Sequence, residues 1–407
     1  MSALSLGFFV PEWPPSAAPS GIITYAATVV PVLRELGHHV SILAGRVTAP
    51  SSDGAVYDAH RAWAQRPVIR RATDAIHWKV APRSAVLAFT QRLIVETAAR
   101  MVQTEHLDLL EMEEAFGAAA WVRREVHVPV CVRLHGPWFL VGPACGAADG
   151  PEFRQRVVAE GRGIARVDGI TAPARHVLER VRARYSLPLQ NARVIPNPTA
   201  PVPEARRWRA GHCAPREILF VGRFDRLKGG DLLIDAFRLV LERAPDARLR
   251  IVGPDHGFVD AAGRTYSLQQ YARERAPSAF EKGQIEWLGP LPSSELDDLR
   301  RRAYCVVVPS RFETFSLAVA EAMAAGCPIV AARVGGIPEL LGDRETGLLH
   351  APGDAVDLAR RILELFDDPR AAACMGRLAG IEAERRLHPD VVAASLTEFY
   401  GTLARPR

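Results

Sequence analysis

YCVVVPSRFETFSLAVAEAMAAGCPIV, residues 304–330, runs a strand, a turn and a helix together, and it sets the fold class. YCVVVPS has the short, β-branched, apolar character of a buried parallel strand. SLAVAEAMAAG reads as a helix ended by Gly326. A helix that starts straight after a strand leaves polarised amide N–H groups near Phe315 and Ser316, where a phosphate is held. Glu313 falls in the turn, and Glu321 about two helical turns further on. One carboxylate can accept hydrogen bonds from a sugar ring, the other from a ribose. The plain alternative is that Glu313 complements the helix dipole and Glu321 is solvated. Against that, Glu321 interrupts a small, apolar run, where a carboxylate is costly without a partner.

Outward from this stretch, strands and helices alternate in two blocks. Before it come EILFVG, the helix DLLIDAFRLVLERA, RLRIVG, an irregular insertion to Gln284, IEWLG and the helix SSELDDLRRRA; after it come CPIVAA, TGLLH and a helix near residues 355–366. The first block opens LSLGFFV, a loop PEWPPSAAPSG, the helix ITYAATVVPVLRELG and GHHVSIL, with further strands at HLDLLEM, VPVCVRL, GITAP and ARVIP. The reading is α/β: two doubly wound, Rossmann-like domains facing a central cleft. The proline-rich PNPTAPVPEARRWRAGHCAPR, residues 196–216, marks a boundary. Residues 1–200 form one expected domain and 201–385 the second, with a helix in 386–407 packing back on the first.

At 407 residues, with 48% apolar and 24% charged residues, the chain is composed like an ordinary globular protein. Six scattered cysteines show neither a CxxC pair nor a Cys/His ligand spacing, so structural zinc and a disulfide framework are not expected. The N-terminus lacks a signal pattern and no apolar run is long enough to span a bilayer, so a cytoplasmic location is expected. The net charge of +5 resides in residues 1–200, which hold 22 Lys and Arg against 17 acids. No dense basic stripe or groove-reading motif accompanies it, and no nucleic-acid partner is expected. His60–Lys79 mixes Arg61, Arg66, Arg70, Arg71 and Lys79 with Trp63 and Trp78. That mixture suits peripheral contact with an anionic membrane or a lipid phosphate. A solvated loop is the default reading.

A second chemical run, FVGRFDRLKGG at residues 220–230, again joins a strand to a helix. Arg223 and Lys228 leave the strand's carboxyl end, where two cations can neutralise a departing diphosphate. The chain has only three lysines, Lys79, Lys228 and Lys282, so one at this junction points to a need for a compact point charge. Gly229 follows Lys228, so this is no Walker loop. The first strand carries no GxGxxG. Ser20–Gly21 opens the first helix and offers amides to a pyrophosphate, though a helix cap explains it equally. In RLHGPW, His135 follows a strand and would face the cleft. A turn histidine accounts for it as well.

Together these segments resemble the retaining nucleotide-sugar glycosyltransferases of family 4, which have the GT-B fold. The resemblance runs through PSGIITYAATVVPVLRELGHHVSIL, RLHG, ITAPARHVLERV, VIPNP, FVGRFDRLKGGDLLIDAF, RIVG, IEWLGPL and PSRFETFSLAVAEAMAAGCPIVAARVGGIPELLGDRETGLL. It implies that Arg223 and Lys228 hold the donor diphosphate, that Glu321 binds the ribose and that Glu313 engages the donor sugar. It makes the backbone of Thr314, Phe315 and Ser316 the sugar and phosphate cradle, and Gly21 the first-domain glycine near the diphosphate. His135 becomes the active-site histidine, Gly289–Leu291 a segment touching the nucleobase, and Asn197 the asparagine before the linker. Three positions depart from the pattern: Ser20 stands for one of paired glycines, Pro198 follows Asn197 in place of glycine, and Ser316 replaces the glycine after the phenylalanine.

The function implied is retaining transfer of a hexose from a nucleoside diphosphate sugar to a glycan or lipid-linked acceptor, as in polysaccharide assembly. No DxD motif is present, and neither metal nor cofactor is expected. An epimerase or phosphorylase on the same fold, or a silent sugar-nucleotide-binding subunit, are the alternatives. Acceptor recognition is expected in the first-domain loops Arg46–Val80 and Val141–Glu152.

Overall fold

The computed structural model describes residues 3–15, 20–49, 55–64 and 83–404. Two parallel sheets organise them. The first contains β1 (Ser5–Trp13), β2 (His39–Val47), β3 (Val56–Asp58), β4 (Leu109–Glu113), β5 (Val130–Arg133), β6 (Gly169–Ala172) and β7 (Ala192–Val194), in the order β3-β2-β1-β4-β5-β6-β7. The second domain adds β8 (Glu217–Val221), β9 (Arg248–Val252), a hairpin of β10 (Phe258–Val259) and β11 (Thr265–Tyr266), then β12 (Ile285–Gly289), β13 (Cys305–Val308), β14 (Ile329–Ala332) and β15 (Leu348–His350). Its sheet runs β12-β9-β8-β13-β14-β15. Both are doubly wound, and the direction of winding reverses between β1 and β4 and again between β8 and β13. Loops diverge at such a reversal and leave a crevice at the strands' carboxyl ends. The two α/β domains are those the strand and helix pattern predicts.

The central strands read as apolar runs because helices cover both faces. Val306, Val307, Ile329 and Val330 are fully buried. Two expectations are corrected. The loop expected after β1 begins later, because Glu12 and Trp13 pair with Arg46 and Val47 and the Trp13 side chain is buried. The insertion before Gln284 is regular: the β10–β11 hairpin and the helices Leu268–Arg275 and Pro277–Glu281 fill it, anchored by Tyr271 against Phe258 and Tyr266. The two strands of the hairpin are two residues each, too short to show a period in the sequence.

Between β7 and β8 the chain runs along the second domain, where Trp208 is buried and its indole N–H donates to the Ala303 carbonyl at 2.8 Å. The last helix, Pro389–Leu403, returns to the first domain and lies on the helix Gly21–Glu35. There the Tyr400 hydroxyl bonds to buried Glu111, and Thr397 meets His38 at 3.1 Å. Among the described residues no helix is long and apolar enough to cross a membrane.

Candidate active site

The β8 and β13 loops, adjacent at the second sheet's reversal, bring two of the expected site residues into contact. Lys228 Nζ lies 2.7 Å from Glu313 Oε1, and the Ser310 hydroxyl donates to the same oxygen at 2.8 Å. Asp225 organises the other side: its carboxylate takes the Lys228 amide at 2.8 Å and Arg223 Nε at 2.7 Å. One Arg223 nitrogen is thus tied, and among the described residues no hydrogen bond engages its terminal amino groups. Arg311 then joins the two loops through a bidentate pair with Asp231, at 2.6 and 2.8 Å, and a bond to the Arg226 carbonyl. Gly229 has φ +72°, and a Cβ there would overlap the Pro309 carbonyl. Glycine lets the loops close on each other.

The helix Leu317–Ala325 begins one residue after the cradle, and Gly326 ends it in the left-handed conformation at φ +70°. Ser316 is its N-cap, and its hydroxyl accepts the Val319 amide at 3.4 Å. Its backbone is unusual, with φ +85° and ψ +93°, a region that disfavours a Cβ. The pattern's glycine at this position therefore has a conformational cause. Phe315 turns its ring into the core, so only its backbone faces the cradle. Behind it, the Glu313 carbonyl accepts the Gly336 amide at 3.0 Å, and a Cβ on Gly335 would overlap that same carbonyl.

Glu321 lies on this helix and is bonded to the buried guanidinium of Arg300, which also holds Asp297 at 3.2 Å. The carboxylate in an apolar run thus has a protein partner, with about a third of its side chain still exposed. Leu291, just past β12, packs beside the core at the same end of the sheet.

From the first domain, Gly21 is within contact distance of Leu317, at 3.7 Å from a Cβ placed on the glycine. The two helix N-termini therefore meet across the cleft. His135 arrives from β5 with its ring edge-on to Tyr25 at 5.3 Å. Burial, then neighbouring Arg133, holds its imidazole well below the ordinary histidine range, so it is neutral. The His135 carbonyl accepts the Thr314 hydroxyl at 2.7 Å, joining the domains directly. Asn197 accepts from Arg133 at 2.7 Å, which ties the linker to β5. Glu339 makes a second bridge, its carboxylate taking the Arg175 and His176 amides at 2.8 and 2.6 Å.

Several residues here carry no spacing signal in the sequence: Asp225, Ser310, Arg300, Glu339 and Glu114, whose carboxylate receives the His135 and Gly136 amides at 2.9 and 2.6 Å. Asp225, lying between the two cations in RFDRLK, was the most readable of them. Most of Arg46–Val80, with the basic aromatic stretch after Ala64, lies outside the described residues. Among the described residues no three His, Cys, Asp or Glu side chains have metal-binding geometry.

Two family models match the chain: Glycosyl transferase 4-like domain over residues 20–198, and Glycosyl transferases group 1 over 207–379. A D-inositol 3-phosphate glycosyltransferase of Corynebacterium aurimucosum is 27% identical over 401 residues, covering 96% of this chain and 93% of that protein. One from Streptomyces scabiei is 31% identical over 295 residues, 70% of this chain and 65% of its own length. Among solved structures, sucrose-phosphate synthase from Thermosynechococcus elongatus superposes with a TM-score of 0.72 at 22% identity, over 98% of this chain and 99% of that one. HepE of Anabaena in complex with UDP-glucose gives 0.68 at 18% identity, over 98% and 100%. These structural likenesses establish the GT-B architecture.

Proposed function

Because the chain belongs to the group 1 glycosyltransferases, with a 4-like first domain, we propose that its cleft moves a hexose from a nucleoside diphosphate sugar to a glycan or lipid-linked acceptor, with retention and without a metal. The observation that supports this best is the 2.7 Å contact of Lys228 with Glu313 at the second sheet's reversal, beside Arg223. An ammonium has three donors. One is engaged by Glu313, and the others can reach diphosphate oxygens while Glu313 accepts from a sugar hydroxyl.

As the bond from the anomeric carbon to the diphosphate breaks, negative charge collects on the leaving oxygens. Arg223, Lys228 and the amides opening the helix Leu317–Ala325 neutralise it, and they do so from positions fixed beforehand. The acceptor oxygen bonds to the anomeric carbon on the same face and its proton passes to the leaving phosphate. Glu313, tied to Lys228 and Ser310, is a sugar-holding group in this scheme and not a nucleophile. Glu321, already oriented by Arg300, takes the ribose hydroxyls. His135 presents a neutral ring to the sugar.

The Anabaena protein was solved with UDP-glucose, which makes that compound the first to try in a panel of UDP-, GDP- and ADP-sugars. Thermal-shift titration should show one nucleotide class raising the melting temperature, by mass action on the native state. Arg223→Ala should remove most of that rise. No stabilisation by any member, or an unchanged rise in the variant, would contradict the proposal.

A further inference from the structure

Glu111 stands in the middle of β4, buried, where a carboxylate costs free energy that an apolar side chain would not. Two buried tyrosines satisfy it, and they come from opposite ends of the chain. Tyr25, in the helix Gly21–Glu35, donates to Glu111 Oε2 at 3.3 Å, and the hydroxyl of Tyr400, in the last helix, donates to the same oxygen. The donor chemistry above uses none of the three.

The Tyr25 ring carries this network to the cleft. Its face takes the guanidinium of fully buried Arg133, whose Cζ lies 4.1 Å from the ring centroid, and it meets the His135 imidazole edge-to-face at 5.3 Å with the planes 64° apart. Arg133 is in turn fixed by the Ile195 carbonyl at 3.0 Å and by Asn197 Oδ1 at 2.7 Å, so it cannot follow a tilted ring. With its hydroxyl, its face and its edge all engaged, Tyr25 has one orientation, which is what a satisfied buried network specifies. Thr397 holds the same last helix by a separate bond, to His38 Nε2 just before β2 at 3.1 Å.

We propose that Tyr400 is a positioning residue for the transfer: through Glu111 and Tyr25 it sets the orientation of the His135 ring, so that the C-terminal helix completes the first domain's side of the active site. The inference rests on the transferase reading in placing His135 beside the donor sugar. Withdrawing the Tyr400 hydroxyl leaves Glu111 with the Tyr25 donor alone and lets the Tyr25 ring turn. The imidazole packed on that ring then shifts, and it meets a sugar hydroxyl at a poorer angle.

Imidazole NMR on the full chain tests this, with the His135 and His38 signals identified by their loss in His135→Gln and His38→Gln. Tyr400→Phe, which keeps the ring and removes the hydroxyl, should move the His135 signal and leave that of His38 in place. Thr397→Val, which loosens the same helix at its other bond, should do the reverse. With UDP-glucose, or the member of the panel that stabilises the chain, Tyr400→Phe should lower the kcat of nucleotide release several-fold with KM little changed. Adding it to Tyr25→Phe should lower kcat no further than Tyr25→Phe alone, because both act through one ring. The proposal is overturned if a folded Tyr400→Phe protein keeps the His135 signal or the kcat of the unmodified chain, if Thr397→Val moves His135 equally, or if the two tyrosine effects multiply. A chain that releases no nucleoside diphosphate loses the transferase reading, and the two imidazole signals still decide whether Tyr400 reaches His135.

Discussion

Ser316 shows how a single residue can hold conformational strain at a ligand cradle. A non-glycine residue at φ +85° costs roughly 1–3 kcal/mol, whereas replacing a serine N-cap by glycine costs only about a few tenths. Ser316→Gly should therefore be stabilising by about 1 kcal/mol in urea unfolding. Ser316→Val should be clearly destabilising, since branching at Cβ fits that backbone less well and the cap is lost. A stability loss in the glycine variant would mean that the serine hydroxyl matters more than the backbone. Glu313 makes the complementary case. Its two partners, Lys228 and Ser310, arrive from different loops, so its chemistry comes from the loop crossing and not from its own neighbours in sequence.

At the scale of elements, the domains are coupled by backbone groups at helix ends. Glu339, in the short helix Ile337–Leu340, caps the helix Arg175–Tyr185 of the other domain. Removing a cap typically costs about 1 kcal/mol, and here the cost falls on the approach of the domains. Glu339→Ala should raise the donor KM with little change in the unfolding midpoint of either domain; an unchanged KM would show that the bridge is incidental. Sequence revealed the strand, turn and helix of residues 304–330 and the βαβ order because hydrophobic period and glycine stops are local signals. It could not show Glu339 bonding to Arg175, Thr314 to His135 or Arg300 to Glu321. Those contacts depend on which loops the reversal points bring together, and no spacing along the chain records them. The hairpin Phe258–Tyr266 was hidden for a different reason: its two-residue strands are too short to show an alternating pattern.

The whole molecule binds protons through its acidic cleft wall. Glu113 and Glu114 are raised in the fold to about 7 and about 8, so the folded chain holds protons that the unfolded chain releases near ordinary carboxylate values. Their contribution to stability is fully present below the unfolded value and is lost as pH rises through 7 to 8. Melting temperature should fall from ordinary carboxylate values up to about pH 8, and Glu113→Gln should make the fall shallower below about pH 7; an equal slope in both proteins would remove Glu113 from the titration. The central claim concerns the other wall, where Lys228 and Arg223 meet a departing diphosphate. Release of nucleoside diphosphate from the stabilising sugar nucleotide, followed in the unmodified chain and in Lys228→Ala, tests it most directly. The account predicts a loss of about a hundredfold or more with the melting temperature nearly unchanged, the scale of removing a preorganised charge-stabilising donor. Release at the unmodified rate by a folded Lys228→Ala protein would contradict it.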